Sequence, residues 1–223
     1  MKLDMHVHTR FSKDSSIDPR HIAKLLAEAG MDGAAITDHG SLEGFKRAEG
    51  REGVLLIPGL EVETEAGELL ALFVEEPVDA RDPWEAADLI RAQGGLVVLP
   101  HPFDRFRRGR LRPERFRPED LRELVDAVEV LNSRCLMPSS NLSAAKLAGA
   151  LGKPGTAGSD AHSARELGRA YLTFERTEDP EGLRRALLRG EAKPEGGLSG
   201  PLVHISSVMA RLKNALGGPG MSR

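Results

Sequence analysis

Histidines and carboxylates recur in this sequence at the downstream ends of apolar runs. His6 and His8 flank Val7 near the start, and Asp38-His39 follows Gly33–Thr37. Glu61 follows the run Val54–Ile57, and His101 follows Leu96–Leu99 and Pro100. Asp160 and His162 stand two apart in the Gly-led turn Gly158–His162, and Asp14 lies in the loop after the first pair. Imidazole with carboxylate is the donor set of Zn²⁺, Mn²⁺ or Fe²⁺, and the absence of thiolate argues against a closed structural zinc site. Eight or nine such donors exceed what one ion takes. Two or three divalent ions, bridged by Glu61 or another carboxylate, would use them all. Each piece alone is weak. Asp38-His39-Gly40 reads equally as a strand-to-helix turn, and His101 before Pro102 reads as extended backbone. Their recurrence at equivalent places in successive units carries the metal reading. His21 and His204 read as ordinary surface or partly buried histidines.

The elements that must hold these residues alternate. Leu3, Met5 and Val7 interleave with Asp4, His6 and His8 at the two-residue period of a strand, so His6 and His8 share a side. Asp4 shares that side and is a candidate for orienting an imidazole. Asp18-Pro19 opens a helix that stops at Gly30. Further strands are expected over 33–37, 54–57, 96–99, 127–131, 153–157 and 171–174, with an added strand over 68–74 pairing back. Helices are expected over 41–48, 82–93, 118–124, 141–151 and 181–188. Roughly seven βα units imply a distorted seven-unit, TIM-like barrel, whose strand C-terminal ends carry the chemistry. Residues 1–189 form that barrel in this reading. Residues 190–216 are a linker and a last helix packed on the same domain, and 217–223 a disordered tail.

The 223 residues suit one domain, and a formal charge of −3 gives no overall field toward nucleic acid or membrane. The one cysteine, Cys135, fits a reducing compartment. No run is apolar enough to span a bilayer, and the sequence reads as cytoplasmic.

Six stretches, in order, resemble the polymerase-and-histidinol-phosphatase (PHP) family. They are Asp4-Met5-His6-Val7-His8-Thr9, Ile36–Gly40, Gly59-Leu60-Glu61-Val62, Pro100-His101-Pro102, Glu129–Asn132 and Gly158–His162. The likeness is nearest to the stand-alone metal-dependent phosphoesterases. The resemblance implies that His6, His8, Glu61 and Asp160 hold a first metal. Glu61 bridges to a second, which His101 also binds, and Asp14, His39 and His162 hold a third. Many relatives carry histidine where Glu68 stands; Glu68 either ligates as an oxygen donor or faces solvent. His39, Asp160 and His162 are also the candidate catalytic residues.

The implied activity is hydrolysis of a phosphate ester by metal-activated water. The substrate is a small phosphorylated metabolite or a nucleotide, such as a nucleoside bisphosphate. The connection after His101 carries seven arginines between 105 and 117. Arg105, Arg107 and Arg108 are candidates to grip phosphate, and Asn132 to touch substrate. A solvated loop is the competing reading of that connection. An exonuclease acting on a DNA or RNA end, a non-catalytic metal-binding module and an amidohydrolase-type C–N hydrolase are the alternatives. No obligate protein partner is evident.

Overall fold

The computed structural model describes residues 1–48, 53–107, 109–175, 179–200 and 203. A single nine-stranded sheet runs in the order β7-β6-β5-β4-β3-β2-β1-β8-β9. Strands β1 (Lys2–Val7), β2 (Gly33–Ile36) and β3 (Leu55–Thr64) are parallel neighbours, as are β5 (Leu96–Leu99), β6 (Ala127–Asn132) and β7 (Gly155–Gly158). Between these triplets β4 (Gly67–Leu72) lies antiparallel to both β3 and β5. The sheet curls until the chain beyond β7 meets β1. Asp160 N donates to His6 O at 2.7 Å and His8 N to Ala161 O at 3.0 Å. This seam makes a nearly closed barrel.

The strand count differs from the seven expected units. Thr64 and Gly67 are joined by a turn of two residues, too short for the crossover that a parallel neighbour needs, so β4 must run back. β8 (Ala170–Thr173) pairs antiparallel with β1, and β9 (Lys193–Gly196) with β8. The stretch 190–200, read as a linker, therefore holds a strand. Its residues are exposed, so no apolar alternation marks it. The expected last helix, from Pro201, and the tail lie outside the described residues except at Val203.

Helices α1 (Ile22–Glu28), α2 (Glu43–Lys46), α3 (Pro83–Ala92), α4 (Pro118–Leu124), α5 (Pro138–Leu151) and α6 (Pro180–Leu188) fill the connections. Their starts follow from local chemistry. Asp82 accepts from Trp84 N and Glu85 N ahead of Pro83, and Asp179 from Gly182 N ahead of Pro180. α3 buries Ala86, Ala87 and Ile90 against the outer face of the sheet, with Val97 and Leu99.

A bulge in β1 decides which side chains face inward. Asp4 pairs with Ala34 but Val7 with Ile36, so β1 carries one residue more than β2 over this interval. Leu3 and Met5 pack with Ile57, Leu70 and Val98, whereas Val7 packs with Ile22 and Leu26 of α1. The strict alternation expected for this strand is broken at its functional end.

Candidate metal centre

The donor residues converge at the C-terminal ends of the parallel strands. His6, His8, Glu61, His101, Asp160, Asp14, His162 and Glu68 are all buried, and the His39 side chain keeps 28% of its surface exposed. His101 and Asp160 stand just beyond β5 and β7 with φ of +29° and +55°, in the left-handed region that non-glycine residues seldom occupy. Such backbone is found where surrounding structure over-determines it, commonly at functional sites.

The outer hydrogen bonds fix the tautomers of three histidines. His6 Nδ1 lies 3.0 Å from the acceptor Glu129 Oε1, so Nδ1 carries the proton. Ser12 Oγ gives its only proton to Asp38 Oδ1 at 2.6 Å, so His8 Nδ1, 3.0 Å away, must donate to it. His162 Nδ1 donates to the Asp160 carbonyl at 2.8 Å. Each imidazole therefore turns its Nε2 toward the interior.

Those nitrogens face one another and the carboxylates. His6 Nε2 and His8 Nε2 are 3.0 Å apart. Around them stand Asp160 Oδ1, 3.4 Å from His8 and 3.8 Å from His6, and Glu61 Oε2, 3.5 Å and 3.8 Å away. Donors around one tetrahedral ion with bonds near 2.0–2.2 Å are separated by roughly 3.3–3.6 Å, so this corner fits a cation. Glu61 Oε2 and Asp160 Oδ1 are buried with no hydrogen-bond partner among the described residues.

A second corner is Glu61 Oε1 with His101 Nε2 at 3.1 Å and Glu68 Oε2 at 3.9 Å from that nitrogen. A third is His8, His39 and His162, with Asp14 Oδ1 3.3 Å from His162 Nε2 and 3.8 Å from His39 Nε2. Glu61 touches all three corners, also lying 3.2 Å from His39 Nδ1. Glu68 faces inward because Leu70 and Leu72, on the same side of β4, line the barrel interior.

Charge is arranged accordingly. Burial would raise Asp160 and Glu61, yet both are held well below the usual carboxylate range, Asp160 by Arg107 and His6, Glu61 by His39 and His101. Burial and then the neighbouring His162 depress His8, keeping it neutral. Burial would also lower His6, but Asp160 and Glu129 raise it well above its ordinary value. Glu68 is raised by burial and by the charge of Glu61.

Of the arginines expected to grip phosphate, Arg107 reaches the cluster. Its guanidinium pairs with Asp160 Oδ2 and lies 3.2 Å from His101 Nε2. Arg105 is exposed, and Arg108 lies outside the described residues. Asn132 donates to Asp160 Oδ2 at 3.1 Å and to Glu129 Oε2 at 3.0 Å. It therefore holds the Asp160 carboxylate.

Glu129 is the participant that sequence reasoning assigned no role. One oxygen takes the His6 proton, and the other accepts from His101 N at 2.8 Å. A bulge between Glu129 and Leu131 lets Glu129 and Asn132, three apart, meet on one side. A buried glutamate amid the apolar run Ala127–Leu131 was the available signal. Glu129→Gln is expected to weaken Mn²⁺ binding about 10–100-fold, the range for groups that orient a ligating histidine. Isothermal titration would show it, and an unchanged affinity would remove that role.

Asp4 does not orient an imidazole. The β1 bulge separates it from His6 and His8, and its carboxylate accepts from Ser159 N at 2.8 Å and Gly168 N at 3.0 Å, pinning the loop that carries Asp160. Burial raises its pKa from 3.8 to about 6, outweighing these donors, which lower it. The folded protein thus binds this proton more tightly than the unfolded chain. The resulting stability is full below the unfolded value and lost as pH rises through about 6. The wild-type urea midpoint should fall across that window more steeply than that of Asp4→Asn; parallel profiles would contradict the assignment.

The centre opens into a cleft of about 1270 Å³ whose lining includes Asp14, His39 and Glu68 on the donor side and Phe11, Lys13, Val78 and Arg81 beyond.

Residues 4–101 match the model of the PHP domain, and residues 138–192 match the PHP-associated model. An uncharacterized protein of Methanocaldococcus jannaschii is 39% identical over 178 residues, covering 78% of this chain and 70% of that protein. The chain belongs to the PHP family. Among solved structures, a two-domain protein from Bacteroides vulgatus ATCC 8482 that contains a predicted PHP-like metal-dependent phosphoesterase aligns with a TM-score of 0.68 and 22% identity. The alignment covers 88% of this chain but only 65% of that one, so the chain spans less than two thirds of its length. The lesion-specific endonuclease PfuEndoQ of Pyrococcus furiosus aligns with a TM-score of 0.67 and 20% identity, over 86% of this chain and 57% of that one. Both share the fold.

Proposed function

We propose that the protein is a divalent-metal-dependent phosphoesterase that hydrolyses a small phosphorylated metabolite or a nucleotide in the cytoplasm. The observation that carries this reading is the set of Nε2 atoms on His6, His8 and His162, turned toward Asp14, Glu61 and Asp160 at the foot of an open cleft. His6, His8, Glu61 and Asp160 would hold one ion, Glu61, Glu68 and His101 a second, and Asp14, His39 and His162 a third. Nitrogen and oxygen donors of this kind suit Mn²⁺, Zn²⁺ or Fe²⁺. Divalent ions in such a site supply Lewis-acid charge and bring the pKa of water toward about 7.

The chain's own residues do the rest. Asn132 sets the Asp160 carboxylate in place, and Asp4 holds the chain beside it at Ser159. Ser12, held by Asp38, sets His8, and Glu129 sets His6 and the chain at His101. The Arg107 guanidinium offers the planar fork that suits phosphate oxygens. His39, the most exposed donor, stands between the buried centre and the cleft, where the ester would enter.

The test is Mn²⁺-dependent phosphate release from a panel of sugar phosphates, nucleoside monophosphates and bisphosphates, and 5′-phosphorylated oligonucleotides. Release from the small esters, largely insensitive to salt, is the expected result. The likeness to an endonuclease fold and the arginine-rich loop favour a nucleic-acid end as the second reading. In that case rates rise with oligonucleotide length and fall steeply with salt. No release from any substrate by metal-loaded, folded protein would overturn both.

A further inference from the structure

The Arg107 contacts fall on atoms that the proposed metal site also uses. Its Nη2 meets Asp160 Oδ2, and its Nη1 lies 3.2 Å from His101 Nε2. That nitrogen also lies 3.1 Å from Glu61 Oε1 and 3.9 Å from Glu68 Oε2, so the guanidinium sits at the second corner of the donor cluster. The guanidinium thus stands against the nitrogen through which His101 would ligate a metal, in the space such an ion would take. The Arg107 side chain is only 19% exposed and extends from a loop held at both sides. Asp104 N donates to His101 O at 3.1 Å, and Glu68 N donates to Gly109 O at 2.8 Å. The position is therefore set by backbone contacts to two of the donor residues themselves. The guanidinium is buried with four carboxyl groups around it, Asp160, Glu61, Glu68 and Asp104, all of which stabilise its charge.

We propose that Arg107 is an internal competitor for the divalent ion at the Glu61–Glu68–His101 corner, a latch that must let go before this corner can load. The inference rests on the metal reading of the site, though not on the reaction class. A guanidinium and a metal ion cannot both occupy this space against His101 Nε2 and the carboxylates. The latched fraction of the protein is unavailable to metal, so the apparent affinity is scaled down by the unlatched fraction. The first corner, on His6 and His8, keeps its nitrogen donors clear of Arg107. Loading is thus expected in two steps, a tight one and one weakened by the latch.

The test is equilibrium Mn²⁺ binding to the full chain without substrate, followed by the spectroscopic signal of free Mn²⁺. Melting temperatures are taken with and without metal. In Arg107→Gln the weaker step should tighten about tenfold or more. The variant should melt below wild type when metal-free and level with it when loaded. Arg107→Lys, which keeps the charge but cannot bridge both donors, should fall between. Arg105→Gln removes an exposed charge from the same loop and should shift affinity less than about twofold, since such charges are screened. Equal or weaker Mn²⁺ binding in Arg107→Gln would overturn the latch while leaving the phosphoesterase reading intact. If wild type binds no Mn²⁺, the latch falls together with the metal reading. If Arg105→Gln tightens binding as much as Arg107→Gln, the effect is general charge repulsion and the latch is again refuted.

Discussion

Asp160→Asn is expected to lower metal-dependent phosphate release about a thousandfold or more while leaving the protein folded. The carboxylate faces His6 and His8 through one oxygen and Arg107 and Asn132 through the other. Removing its charge weakens a shared donor of the proposed site. Lewis-acid stabilisation of a phosphoryl transition state is worth several kcal/mol, and each 1.36 kcal/mol is a factor of ten. Asparagine is the informative replacement. It is nearly isosteric, and it tolerates the left-handed backbone that Asp160 adopts at φ +55°. The seam hydrogen bond from its backbone N to His6 O is therefore kept. The measurements are phosphate release, bound Mn²⁺ per chain and melting temperature, on one preparation. Retained turnover at full metal occupancy would remove Asp160 from the reaction. A collapsed melting temperature would instead show that its charge is needed for folding.

Much of this centre could be read in the sequence because His6, His8, His101 and Asp160 sit at or just past strand ends, where a period of two turns into a loop. His6 and His8 were legible as a same-side pair. What was not legible is how they come to face inward. That depends on one extra residue in β1, a bulge visible only against the register of β2. The same bulge removes Asp4 from the imidazole side, which simple alternation had placed there. Glu129 was hidden differently. Its role depends on contacts to His6 and to the chain at His101, 123 and 28 residues away along the sequence. Composition marks a buried glutamate but not its partner. β9 was hidden because Lys193–Gly196 buries no side chain and is specified by backbone pairing alone. Arg107 could not be told from its neighbours Arg105 and Arg108, since a run of arginines has no period. The fold that holds Arg107 over the cluster comes from the Gly109 carbonyl and Glu68 N.

Gly158→Ala is expected to be strongly destabilising. A Cβ at this position would stand 2.7 Å from His6 N and 3.0 Å from His6 Cα, with the His6 Cβ closer still. These are backbone and near-backbone atoms, which no rotamer change can move. The strands must separate, and the bonds from Asp160 N to His6 O and from His8 N to Ala161 O are what joins them here. Overpacking ordinarily costs about 1–3 kcal/mol and more where backbone must shift, so about 3 kcal/mol or more is expected. At about 2–4 °C per kcal/mol for a chain of this size, the melting temperature should fall by roughly 6–12 °C. Gly149→Ala in α5 is the matched control, because a Cβ there meets nothing within 4 Å. In that exposed helical position alanine should stabilise by about 0.5–1 kcal/mol. A Gly158→Ala protein as stable as wild type would mean that the β1–β7 seam is not closed in solution. The donors of β1 would then not meet Asp160, and the metal centre would have to be built another way.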